Sequence, residues 1–208
     1  MNFVLAVAVV FILLCSAEIW FRKHQVRGEF GRKFVHITVG SFVAFWPFLL
    51  SWNQIKFLSL AFLLVVGISK YLHVFQTIHS VQRPTWGELF FALAVGSVAF
   101  ITHNKWIYMT ALLQMSLADG LAAVIGTEYG RRHRYRVLGH PKSWLGSLTF
   151  FVVSVVLLVV YTHLSGASLG VVAIFSIAAG TTLMENFGVF GLDNLLVPIV
   201  VASALALI

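Results

Sequence analysis

Charge is what this chain has least of. Asp, Glu, Lys and Arg make up 10% of its 208 residues, against about 25% in a typical soluble domain. That scarcity excludes an ordinary water-soluble fold. Acids are rarer still, 7 in all. The single cysteine, Cys15, lies inside the first apolar run. It excludes an intrachain disulfide and by itself carries no redox chemistry. No Walker-type Gly-rich pattern is present, so no P-loop is expected. What fills the chain is apolar: 60% of residues are hydrophobic, and the mean hydropathy is +0.94. A multi-span helical membrane protein is the reading that suits this composition. The formal net charge of +7 then marks cytoplasmic loops and not a nucleic-acid surface.

Eight apolar runs of roughly spanning length follow one another. They cover about 2–21, 34–50, 55–75, 86–101, 105–126, 147–163, 169–184 and 193–208. The expectation is an all-α bundle of about eight transmembrane helices forming one domain, 1–208. Residues 1–33 are its first span and basic loop, and 34–208 its core. The first run is expected to be a retained helix. It has no Lys or Arg before it and is too long for a signal peptide. Leu14 is also too bulky for a lipoprotein site at Cys15. Ser51 and Gln54 have the spacing of a capping box.

Positive residues set the orientation. With the N-terminus outside, all but Lys56 and Lys105 of the 14 Lys and Arg fall in cytoplasmic loops or the helix ends bordering them. Arg22, Lys23, Arg27, Arg32, Lys33, Lys70 and Arg83 precede a basic loop carrying Arg131, Arg132, Arg134, Arg136 and Lys142. The acids follow the same side. Glu88, Asp119, Glu185 and Asp193 all border the cytoplasmic half of a span, and the outer turns hold no Asp or Glu.

Each polar residue has a plain reading beside a functional one. Arg32 and Lys33 are either positive-inside anchors or phosphate contacts. His36 shares a helix face with Arg32 and Gly40 and is either a packing residue or a phosphate or metal contact. Glu88 follows Thr85 by three, so a capping box explains it as well as catalysis does. Asp193 suits a helix cap. Glu185 has no such explanation, because a carboxylate at a helix C-terminus opposes the macrodipole.

Asp119 carries the most weight. An aspartate near the bilayer centre costs roughly 2.5–3.5 kcal/mol on insertion scales. Ala118, Ala122 and Gly126 form a stripe for close helix contact, and Asp119 beside it points into the bundle. Carboxylates together with phosphate oxygens are what Mg²⁺ prefers. Gly130 and Gly139 in the basic loop would admit backbone N–H groups to phosphate. An acid at the end of a membrane helix followed by that loop suits a metal-bound polyphosphate at the membrane surface.

Six segments in order resemble the CTP-dependent polyprenol kinase family, which includes dolichol kinase, phytol kinase and the yeast-type diacylglycerol kinase. They are Arg32-Lys33-x-x-His36, Gly87-Glu88, Asp119-Gly120-x-Ala122-x-x-x-Gly126, Lys142-Ser143-x-x-Gly146-Ser147, Glu185, and Asp193-Asn194-x-x-x-Pro198. The resemblance spans roughly residues 30–200. It implies phosphoryl transfer from CTP to the hydroxyl of a membrane lipid, either an isoprenoid alcohol or diacylglycerol. Where family members carry Glu between the Ser and Gly of the Lys-Ser segment, this chain has Leu145; Glu128 in the same loop is the candidate for that charge.

On this reading Asp119, with Glu185 or Asp193, holds Mg²⁺ on the triphosphate. Arg32, Lys33 and Lys142 neutralise phosphate, and Ser143 and Asn194 donate hydrogen bonds. Gly120, Gly126, Gly146 and Ser147 complete the nucleotide site, and Glu88 or His36 accepts the alcohol's proton. Asp119, Glu185 and Asp193 are expected to meet, and Asp119→Asn to leave the unliganded protein at least as stable. A cytidylyltransferase making a CDP-lipid would use the same face, but the acidic and Gly-rich run of those enzymes is absent. A lipid transporter or scaffold is the reading from another class, and the polar-free outer half argues against it.

Overall fold

The computed structural model describes residues 2–25, 29–72 and 86–208. These form nine α-helical segments: α1 (Asn2–His24), α2 (Glu29–Ala44), α3 (Trp52–Leu72), α4 (Gly87–Ile101), α5 (Lys105–Leu113), α6 (Asp119–Glu128), α7 (Trp144–Ser165), α8 (Val171–Phe187) and α9 (Asp193–Ala206). A π-helical turn, Gln114–Ala118, joins α5 to α6 in one rod, so the rods number eight. The stretch 76–85 read as a polar loop, and with it Arg83 and Thr85, lies outside the described residues, as does Arg27.

Three rods are long and apolar enough to cross a bilayer: Phe3–Phe21, Lys105–Glu128 and Trp144–Ser165. Trp52–Ile68, Gly87–Ile101, Val171–Phe187 and Asp193–Ala206 are shorter apolar helices. This is the architecture of a multi-pass membrane protein. Outward-facing Val4, Leu5, Phe11, Phe57, Leu64, Val152 and Val172 are exposed, as a lipid-facing shell requires. The bundle is built around the α5–α6 rod and α9. Tyr108, Leu112, Met115 and Ala118 from the first are fully buried, as are Val197, Val201 and Ala202 from the second. Helix α9 packs on α4, α5 and α8, while α2 and α7 flank the rod. Helix α1 rests on α2 at the edge.

Local chemistry sets the ends. Helix α2 stops before a 3₁₀ turn, Trp46–Phe48, in which Pro47 supplies no N–H. The capping box forms: Ser51 N donates to Gln54 Oε1 at 2.9 Å and Gln54 N to Ser51 Oγ at 3.4 Å. Asn104 caps α5 by accepting from Trp106 N at 2.9 Å. Gly166, at φ 71°, ends α7 in the left-handed conformation glycine favours. Helix α2 begins before the run expected from residue 34, because charged residues at a membrane surface still form helix. Asp193 is not a cap, since Leu192 holds that position and Asp193 is the first helical residue. Trp86 stands at the cap of α4, not Thr85.

The all-α expectation holds for the bundle, and the basic loop adds one short hairpin to it. Residues Arg134–Val137 (β1) and His140–Ser143 (β2) pair as an antiparallel hairpin. Its turn residues, Leu138 and Gly139, have φ of 48° and 81°, the signs a two-residue hairpin turn of matching twist demands.

Glycine at the α6–α7 contact is a packing requirement. A Cβ on Gly146 would lie 2.9 Å from Ser143 Oγ and 3.0 Å from Ala122 O, whereas one on Gly180 in α8 meets nothing within 4 Å. Gly146→Ala is therefore expected to destabilise the protein by about 1–3 kcal/mol through overpacking. Gly180→Ala is expected to be neutral or stabilising by up to about 1 kcal/mol. Thermal unfolding in detergent distinguishes them; equal midpoints would remove the packing role of Gly146.

Candidate active site

The site begins with the irregularity in the central rod. Across the π turn, the N–H of Asp119 donates to Gln114 O, five residues back. The extra residue shifts the helical register immediately before the acid, and such bulges recur at functional sites. Asp119 is thereby turned inward, with 3% of its surface exposed. Nearby Met115 O accepts from His36 Nε2 at 3.0 Å. Two helices close on this turn through glycine. A Cβ on Gly40 would meet Ser116, and one on Gly120 would collide with Ile37.

Helix α2 delivers the counter-charge. Lys33 Nζ donates to Asp119 Oδ2 at 2.6 Å, and both side chains are buried. His36 Nε2 lies 3.6 Å from the same oxygen, its ring edge-on to Phe91. The ion pair reverses the expectation for Asp119→Asn. An asparagine would leave the Lys33 ammonium buried without its anion, and breaking such a pair costs about 3–5 kcal/mol.

The second ion pair comes from the hairpin. Lys142 Nζ donates to Glu185 Oε1 at 2.5 Å and to Glu185 O at 2.8 Å. One ammonium thus answers both the carboxylate and the negative end of α8, which explains an acid at that helix C-terminus. Burial works against the charge of Lys142, but Glu185, then Asp193 and Asp119, outweigh it and raise its pKa. Lys142 stays an ammonium and serves as a charge, not as a base. The other basic residues of the segment, Arg131, Arg132, Arg134 and Arg136, are exposed.

Asp193 enters at the start of α9. Gly188 makes room for it, because a Cβ there would overlap the Asp193 side chain. Asp193 Oδ1 accepts from Asn194 N at 3.1 Å. The outcome is a three-acid group. One oxygen each from Asp119, Glu185 and Asp193 lies within 4.8 Å of the others. The acids that the sequence placed at one end of three helices thus meet in space.

Other residues of the sequence pattern take local jobs. Ser143 caps α7, accepting from Gly146 N at 3.0 Å. Gly126 and Gly130 fit around its hydroxyl, and Gly126 also fits against Gly146. Gly139 is the hairpin turn. Ser147 Oγ donates to Asn186 Oδ1 at 2.9 Å. Asn194 Nδ2 donates to Gly87 O at 3.0 Å, tying α4 to α9, while its buried Oδ1 has no hydrogen-bond partner among the described residues. Arg32 is half-buried next to Lys33. Glu88 sits half-buried in the first turn of α4 and, among the described residues, makes no ion pair. Glu128 is exposed beside a shallow groove between α2 and α6 that Phe30 and Lys33 also line. Sequence reasoning missed Tyr135, Asn186 and Gly188. Tyr135 alternates with exposed arginines in a strand-like pattern, a legible cue; Asn186 and Gly188 carry no signal of their own.

No protein-family model matches the chain, and no solved structure matches it. Curated relatives do. It is 33% identical over 198 residues to the phytol kinase of Synechocystis sp., covering 90% of this chain and 82% of that protein. It is 28% identical over 173 residues to phytol kinase 1, chloroplastic, of Arabidopsis thaliana, covering 74% of this chain and 56% of that one. With that length and level of identity joined to the ordered segments gathered above, the chain belongs to the CTP-dependent polyprenol kinase family.

Proposed function

We propose that this protein is a membrane lipid-alcohol kinase. It moves the γ-phosphoryl group of CTP to the hydroxyl of an isoprenoid alcohol of the phytol class, at the cytoplasmic face. The observation that carries the reading is the convergence of Asp119, Glu185 and Asp193 within 4.8 Å, with Lys33 and Lys142 bound to two of them. The relatives' names support the kinase activity and the phytol class of alcohol. CTP comes from the family. Dolichol-like alcohols and diacylglycerol are the other acceptors to be compared.

The donor set fits a hard divalent cation. Lys33 pairs with Asp119 and Lys142 with Glu185, while Asp193 makes no ion pair among the described residues. Asp119 Oδ1 and Glu185 Oε2 are not used by the lysines. Asp119, Glu185 and Asp193 would hold such an ion, one oxygen of each lying within 4.8 Å of the others, and oxygen donors are what Mg²⁺ takes. Mg²⁺ bound there would neutralise charge on the phosphate oxygens.

The chain's own groups do the rest. An ammonium has three donors; Lys33 uses one on Asp119 and Lys142 two on Glu185. Two and one remain for phosphate oxygens. His36 gives its Nε2–H to Met115 O, so in the neutral ring Nδ1 is the free acceptor. It takes the alcohol proton as the alcohol oxygen bonds to the γ-phosphorus. The bond from that phosphorus to the bridging oxygen breaks, and CDP leaves with its electron pair. The two bound lysines and the rigid central rod supply the positioning and charge stabilisation this reaction chiefly needs.

Incubation of the purified protein with labelled CTP, Mg²⁺ and a panel of lipid alcohols should yield CDP and an alcohol monophosphate. Phytol-class alcohols should be preferred to diacylglycerol. Release of pyrophosphate would mean cytidylyl transfer and overturn the assignment.

The facing of the site is tested by labelling. With Cys15 replaced by serine, cysteines at exposed Ser51 and Arg132 should react from opposite sides of sealed vesicles, Arg132→Cys from the cytoplasmic side. Reaction of both from one side would refute the arrangement.

Asp119→Asn should lower stability by about 3–5 kcal/mol and abolish most turnover. Adding Lys33→Met should restore most of the stability, because a neutral pair avoids the desolvation of two ions, while leaving turnover lost. Thermal melts alongside the CTP assay decide it; a double variant as unstable as the single one would show that the pair is not what Asp119 contributes.

A further inference from the structure

The hairpin that carries Lys142 touches the bundle through few groups. Arg134 and Arg136 on β1 face away from it. Near the turn, the His140 ring rests against Phe190 at 5.4 Å. Besides the Lys142–Glu185 pair, the polar anchor of the hairpin is Tyr135. Its hydroxyl lies 2.5 Å from Asn186 Oδ1, to which it donates, and 2.5 Å from Ser147 Oγ. Ser147 Oγ lies 2.9 Å from the same Asn186 oxygen, so its single proton serves either that oxygen or the tyrosine, and Asn186 Nδ2 donates to Thr182 O at 3.0 Å. The tyrosine ring leans on Trp144 at 5.0 Å.

Register gives this anchor its meaning. Tyr135 and Lys142 are direct cross-strand partners, and such partners project from the same face of the ribbon. They land on consecutive residues of α8: Tyr135 on Asn186, Lys142 on Glu185. Fixing the first fixes the second. An isolated two-stranded hairpin is marginally stable at best; here β2 runs into α7 at Ser143 and Lys142 itself bonds to Glu185, and the tyrosine hydroxyl adds from β1 a second fixed point on α8.

We infer that Tyr135 is a positioning residue for phosphoryl transfer: its clamp on Ser147 and Asn186 sets the hairpin's register on α8 and so holds the Lys142 ammonium at the acid cluster. Among the described residues its hydroxyl meets Ser147 and Asn186 and none of the three acids, so it acts through Lys142. The inference rests on the kinase reading for its effect on turnover, but its structural half does not.

Tyr135→Phe is the variant to make. It keeps the ring against Trp144 and leaves Ser147 and Asn186 bonded to each other, so the bundle has no cause to unfold. The expected result is a fall of about tenfold in kcat/KM for CTP, the scale of one or two lost hydrogen bonds, with the melting midpoint little changed. In a Lys142→Ala background the same change should have almost no further effect, because residues acting as one unit are non-additive. A tyrosine that merely stabilised the fold would give the same factor in both backgrounds, and that result would overturn the proposal. A second measurement needs no turnover. Nitroxide labels at Arg136→Cys and Phe187→Cys, in Cys15→Ser protein, should give a narrow distance distribution that broadens on Tyr135→Phe. An unchanged distribution would also overturn it. If no variant, nor the parent, transfers phosphate, the kinase reading fails, and the distance measurement alone judges the clamp.

Discussion

An ionised carboxylate moved from water into a helical bundle gives up several kcal/mol of hydration unless something in the protein answers its charge. Asp119 is in that position, and the rest of the structure can be traced from it. Lys33 has to come from α2, so α2 must approach the central rod closely. Glycines 40 and 120 are what allow the approach. His36 follows one turn after Lys33 and meets Met115 O beside the π turn. Bringing two further acids alongside compounds the electrostatic problem, and the hairpin answers it by inserting Lys142 against Glu185. Charge matching, more than shape, explains why five separate parts of the chain end at one place.

The site therefore stands on packing that looks unrelated to it. Gly126, Gly130 and Gly146 bring α6 against α7 around the capped Ser143, and that contact places the hairpin between them and α8. Asn194 ties the beginning of α4 to the beginning of α9, next to Asp193. Several residues of the family pattern are thus structural at first remove. They shape the pocket by setting helix separation, and a phosphate-binding role is not needed to account for them.

Much of this was open to a reader of the sequence, and the limits are physical. Helix number follows from apolar runs of spanning length, and the clustering of acids on one side from their positions relative to those runs. The Ser51–Gln54 cap is a short-range pattern and was legible for that reason. Asp119 could be expected to point inward from the small residues beside it. The identity of its cation could not. Lys33 and a loop arginine are equivalent until the helices are packed, so the ion pair that now argues for a destabilised asparagine variant was not legible. The hairpin stayed hidden because its turn is Leu138-Gly139, without the Asn or Asp that usually announces a left-handed pair. The roles of Gly188 and Asn186 depend on a partner brought up by tertiary structure, which no local pattern encodes.

The π turn at Gln114–Ala118 also constrains how the chain can change. Successive residues of an α-helix are separated by roughly 100° around the axis. One extra residue in the rod therefore fixes the azimuth of everything beyond it relative to everything before it. Substitutions within the turn alter side chains and leave that angle alone. Losing or gaining a single residue there would swing Asp119 and the whole of α6 toward a different neighbour while α5 stayed in place. The number of residues between Lys105 and Asp119 is thus part of the site in the same sense as the acid, and this stretch should tolerate changes of composition far better than changes of length.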